Sequence, residues 1–147
     1  MARTMARTGL RVAAAVALLG AGAAGAAPLN TEQFKIRSTQ DLVDLCAADS
    51  STPLGRDGIN FCHGFVSGAW HYHQAQANGP HGERIVCPPD PPPTRTDAIT
   101  QFVAWAAAHP EHMTDPPVET LFRFLVEKWP CPEEPPIAPP TKKGGKR

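Results

Sequence analysis

Apolar residues in this chain recur at spacings of three and four, and nowhere alternate long enough to make a strand. The clearest run lies late in the chain. Val118, Leu121, Phe122, Leu125, Val126 and Trp129 fall at i, i+3, i+4, i+7, i+8 and i+11, which is one face of a helix. Thr114-Asp115-Pro116 opens it, with Asp115 as the expected cap and Pro116 at the first helical position, where its missing N–H costs nothing. Pro130 and Pro132 stop it. Earlier, Ile59, Cys62, Val66, Ala69, Trp70 and His73 predict a helix over about 58–77, ended by Asn78-Gly79-Pro80. Gly64 and Gly68 share a face of that helix. Each costs up to about 1 kcal/mol relative to Ala, so the pair predicts close packing by another helix or by a partner chain.

Ile99, Phe102, Val103 and Ala106 predict a further helix, capped by Thr94 or Thr96, with Asp97 in its first turn and Pro110 limiting it near His109. A short helix starts at Ser38-Thr39-Gln40-Asp41 and carries Leu42, Val43, Leu45 and Cys46. Residues 47–58, rich in Asp, Ser, Pro and Gly, read as a loop. Residues 81–94 read as a linker. Its run Pro88-Pro89-Asp90-Pro91-Pro92-Pro93 favours a stiff, extended connector over a segment that docks elsewhere. The expected fold is all-α: a compact four-helix domain of two helical hairpins.

The ends of the chain carry no such periodicity. Arg3, Arg7 and Arg11 precede an apolar Ala/Val/Leu run over 12–24, and Ala24-Gly25-Ala26 follows as a small-x-small site. This is the order of a secretory signal peptide cleaved after Ala26. The run is short of the ~20 residues that span a bilayer, and no second apolar segment follows, so no membrane span is expected after cleavage. The expected organisation is signal peptide 1–26, N-terminal extension 27–37, helical domain 38–131 and a disordered Pro/Lys-rich tail 132–147. The expected location is the periplasm.

Export changes the reading of the cysteines. All four, Cys46, Cys62, Cys87 and Cys131, follow the signal segment, and an even count in a short exported chain points to two disulfides. No C-x-x-C spacing supports zinc. Four cysteines allow three pairings. Hairpin geometry favours Cys46 with Cys62, which face across the first hairpin, and Cys87 with Cys131, which bracket the second.

Charge and candidate chemistry narrow the function. Removing Arg3, Arg7 and Arg11 from the fourteen basic residues leaves eleven against fourteen acidic ones. Lys142, Lys143, Lys146 and Arg147 sit in the tail, so the body is acidic, which argues against nucleic acid and anionic membranes and suits a basic protein partner. Six histidines raise a metal site. His71 and His73 point about 200° apart on a helix, His63 and His71 stand about two turns apart, and His109 and His112 flank Pro110, so none has ligand spacing. Cys62-His63 is no nucleophile–base pair once the cysteine is oxidised. Val66-Ser67-Gly68 is not a nucleophile elbow, and no phosphate loop appears. The expectation is no enzyme, no metal and no cofactor. Phe61, Phe65, Trp70 and Tyr72 crowd the second helix. Phe65 and Trp70 suit a core, while Phe61, Trp70 and Tyr72 are candidates for a partner surface.

Leu45-Cys46, Cys62-x-Gly64-Phe65-x-x-Gly68, Cys87-Pro88, Ala108-His109-Pro110 and Trp129-Pro130-Cys131 follow one another with short helical spacers. This order resembles the Rap/Tai immunity protein family over about 39–131. The resemblance implies a small periplasmic helical protein, often a homodimer, that blocks peptidoglycan amidases injected by type VI secretion. The quoted residues read as scaffold, so no effector-contacting residue carries over. The proline-rich stretch after Cys87 and the long tail depart from the family pattern. The alternative expectation is a stand-alone envelope module, a holdase or scaffold with no specific toxin partner.

Overall fold

A computed structural model describes residues 28–132; the expected signal peptide and the expected disordered tail lie outside the described residues. Four helices make up the fold: α1 (Thr39–Cys46), α2 (Pro53–Ala77), α3 (Arg95–Ala108) and α4 (Pro117–Lys128). Short 3-10 turns at Gln33–Lys35 and Pro110–His112 flank them. Among the described residues there is no strand, only a single antiparallel bridge between Val86 and Pro130. The domain is all-α, as the periodicity requires.

The shortest helix, α1, is central all the same: like α3, it touches each of the other three. Its Leu42 and Leu45 are fully buried. Its first turn leaves backbone N–H groups that the helix cannot satisfy. Ser38 Oγ accepts from the Asp41 amide at 3.3 Å, and Asp41 Oδ2 accepts from the Arg37 amide at 2.8 Å. The amides of Thr39 and Gln40 donate to the carbonyls of Asp115 (2.9 Å) and Met113 (3.0 Å). The turn before α4 therefore caps α1 from across the fold.

α2 begins well before residue 58. Thr52 is its cap, accepting from the Gly55 amide at 3.0 Å, and Pro53 stands in its first turn. The segment 47–58 is thus loop only as far as Thr52. Thr-Pro at the cap and first helical positions outweighs the Gly and Asp that read as loop. α3 starts at its Thr94 cap, which accepts from the Asp97 amide at 3.1 Å.

α4 departs from expectation twice. Its cap is Pro116 and its first residue is Pro117, with no side-chain cap bond. Asp115 does not cap because its carboxylate is held by His112 Nδ1 at 2.8 Å and its carbonyl serves Thr39. The buried face is also rotated. Pro117, Thr120, Leu121, Phe124 and Leu125 are buried, while Val118 and Val126 are 46% and 37% exposed. α4 lies against α1 and α3, and that contact selects the 117/121/124 face. Phe124 meets Phe102, Trp105 and Trp129 with ring centroids 5.8–6.0 Å apart.

Both disulfides join the cysteines that hairpin geometry favours, Cys46–Cys62 and Cys87–Cys131. The second ties the linker to the end of α4, where the Cys87 amide donates to the Trp129 carbonyl at 2.9 Å. Within the proline run the Asp90–Pro91 peptide bond is cis. Leu29, Phe34 and Ile36 pack on the core, so the segment before α1 belongs to the same body.

Candidate partner-binding surface

α2, of 25 residues, outruns α1 and α3, of 8 and 14, and much of it faces solvent. Its buried side carries Gly55, Gly58, Cys62, Val66 and His73. A quarter turn or more away, Phe61, Gly64, Gly68 and Tyr72 fall at i, i+3, i+7 and i+11 on one exposed stripe. Phe61 is 38% exposed, its inner edge set against the ring of Phe34 at 5.6 Å. Tyr72 is 66% exposed, and its hydroxyl accepts from Gln76 Nε2 at 2.6 Å.

Close packing at Gly64 and Gly68 by another helix of this chain is not found. A Cβ at either position would meet nothing within 4 Å. The close approach on α2 lies earlier. A Cβ on Gly58 would stand 3.0 Å from Leu29 and 3.2 Å from Leu45, and one on Gly55 would run into the Asp49 carbonyl. Gly58 lets α1 and α2 meet beside the Cys46–Cys62 bridge and Gly55 lets the preceding loop close on α2, whereas the two late glycines leave bare backbone between Phe61 and Tyr72.

Trp70 does not share that stripe. It is half-buried on the far side of α2, 5.5 Å from His73, which in turn lies 5.3 Å from Phe122 of α4. His73 is buried, and its Nε2 has no hydrogen-bond partner. Burial, with Arg84 nearby as the lesser cause, holds its pKa below the ordinary 6.5. Trp70 also borders two adjoining clefts beneath the proline run. One, of about 240 Å³, reaches His73 and Arg84; the other, of about 330 Å³, reaches Trp129 and Arg95.

Two surface features escape the sequence reading. Val118, Phe122 and Val126 form an apolar ridge on α4, flanked by the Glu119–Arg123 ion pair at 2.9 Å. In the sequence they share one helical face with Leu121 and Leu125, and the buried phase set by Pro117, Thr120 and Phe124 separates them. The clefts are the second feature. No local signal marks them, because Trp70, the proline run and Trp129 are far apart in sequence and meet only in the fold.

Two further histidines make local structural contacts. His109 stacks on Trp105 at 4.0 Å, with Nδ1 2.8 Å from the Trp105 carbonyl oxygen. His112 pairs with Asp115. Among the described residues no group of three or more His, Cys, Asp or Glu side chains could hold a metal ion.

These features define a class: a small, disulfide-stapled, all-helical domain whose distinctive chemistry is displayed on its surface. The family model described as Rap1a immunity proteins matches residues 38–131, and the chain belongs to that family. No curated protein and no solved structure matches it.

Proposed function

We propose that this protein is an exported immunity protein that binds and blocks a peptidoglycan amidase delivered by type VI secretion. It works in the periplasm and catalyses nothing itself. The observation that carries this reading is membership of the Rap1a immunity family over the whole helical domain. The two disulfides accord with an oxidising compartment. The exposed stripe of Phe61 and Tyr72, with Gly64 and Gly68 between them, supplies a surface of the kind partners bury. The glycines would let a partner approach the α2 backbone directly, and a second copy of this chain could use the same stripe or the α4 ridge to form a dimer.

The test is a capture of the tagged, oxidised protein from its own organism's envelope and secreted fractions, followed by an assay of the captured hydrolase. The expected outcome is stoichiometric recovery of one peptidoglycan amidase, whose activity the protein abolishes. Recovery of many unrelated envelope proteins, or an amidase that stays active in the complex, would overturn the reading.

A further inference from the structure

We propose that the cleft between α2 and the proline run is a binding site for a small apolar carboxylate, with an aromatic body and one anionic end. The inference is independent of the amidase reading. Trp70 of α2 and Trp129 after α4 border the cleft together with Pro88 and Pro92, so its walls are indole faces and pyrrolidine rings. Its volume of about 330 Å³ falls at the low end of the ~300–1,000 Å³ usual for small-molecule sites. A ligand the size of a phenylalkanoic acid is therefore indicated, rather than a folded partner.

The walls are held in place before any ligand arrives. Proline fixes its own φ. The Cys87–Cys131 bridge joins the strand of chain leading into Pro88 to the one leaving Trp129, and the Cys87 amide is bonded to the Trp129 carbonyl. A preorganised cleft loses little entropy when it is filled.

One end of the cleft is cationic. Arg95, the first residue of α3, gives Ser67 Oγ one hydrogen bond of 2.9 Å. No carboxylate lies within 4.0 Å of its guanidinium among the described residues. The nearest acid in sequence, Asp97, is occupied by the Thr94 hydroxyl at 2.6 Å. A guanidinium has five N–H donors in a planar fork matched to a carboxylate, and the first turn of a helix favours negative charge. No acidic residue lines this cleft or the adjoining one, although the body is acidic overall. The adjoining cleft extends the cationic lining with Arg84 and adds the buried, unpartnered nitrogen of His73 as a neutral polar group.

The experiment titrates 3-phenylpropionate into the oxidised protein and follows tryptophan fluorescence, to which Trp70 and Trp129 contribute from the cleft. The expected result is a saturable change. 3-Phenyl-1-propanol, with the same body and no charge, should bind about ten-fold more weakly or less, because a charge-assisted bidentate contact is lost. Arg95→Gln, at an exposed position, should bring the acid down to the affinity of the alcohol while leaving the helical circular dichroism unchanged. Ser67→Ala should produce a smaller drop. Absence of saturation, equal binding of acid and alcohol, or unchanged affinity in Arg95→Gln would each overturn the proposal.

Discussion

Glycine positions on α2 show how one residue type carries opposite meanings along one helix. Gly58 faces Leu29 and Leu45 at contact distance, whereas Gly64 and Gly68 face open space. Gly58→Ala should therefore lose about 1–3 kcal/mol by overpacking the α1–α2 contact. Gly64→Ala and Gly68→Ala should each gain up to about 1 kcal/mol from helix propensity. Urea denaturation of the three variants checks the contrast, and a destabilised Gly64→Ala would show that its surface is covered in the folded protein.

His73 is the residue whose protonation the fold resists. In the unfolded chain it takes its proton near pH 6.5, while in the folded protein burial first, and Arg84 second, hold its pKa lower. Below about pH 6.5 the unfolded state binds more protons, so stability is complete above that pH and declines as pH falls. His73→Phe, which keeps an aromatic ring between Trp70 and Phe122, should flatten this acid slope. Thermal melts between pH 7.5 and 5, a window that brackets histidine titration, read the difference; an equal slope in both proteins would mean that other groups set it.

At the scale of elements, caps and stripes behaved differently. Ser38, Asp41, Thr94 and Asp97 act where local sequence places them, because a cap satisfies amides two or three residues away. Asp115 fails as a cap because its carboxylate is taken by His112, three residues before it, while its carbonyl is taken by the distant Thr39. Thr94→Ala should accordingly cost about 1 kcal/mol, seen as a lower denaturation midpoint. The stripe on α4 was legible as helical but not in phase. Its apolar residues cover more than half the helix circumference, so periodicity alone admits two buried faces, and only the packing on α1 and α3 selects one. The remainder, exposed Val118 and Val126 with half-buried Phe122, matters because it is surface that a partner can bury.

At the scale of the whole molecule, the disulfides complete a core that a small helical domain builds with difficulty. The Cys87–Cys131 bridge closes a loop across 44 positions. Chain entropy then gives it about 4 kcal/mol. Replacing both residues by Ala should lower the unfolding free energy by about that amount and loosen the proline wall of the cleft together with Trp129. The partner surface makes a separate prediction. If the Phe61–Tyr72 stripe contacts the amidase, Phe61→Ala and Tyr72→Ala should each weaken the complex by about ten-fold or more, read by calorimetry, with little change in the stability of the free protein for the exposed Tyr72.

The all-α class, the four helices and three of their four start regions follow from the sequence, because periodicity and caps are short-range properties of the chain; hairpin ends favour one disulfide pairing of three, and the fold decides it. The order of motifs from Leu45-Cys46 to Trp129-Pro130-Cys131 likewise pointed to an immunity family, since scaffold residues recur at spacings a reader can count. Tertiary structure alone decided which face of α4 is buried, which glycines on α2 are crowded, that Trp70 turns away from Phe61 and Tyr72, and that Arg95 meets Ser67 beside two tryptophans. Each of these depends on which surfaces meet between segments tens of residues apart, and local sequence carries no record of that.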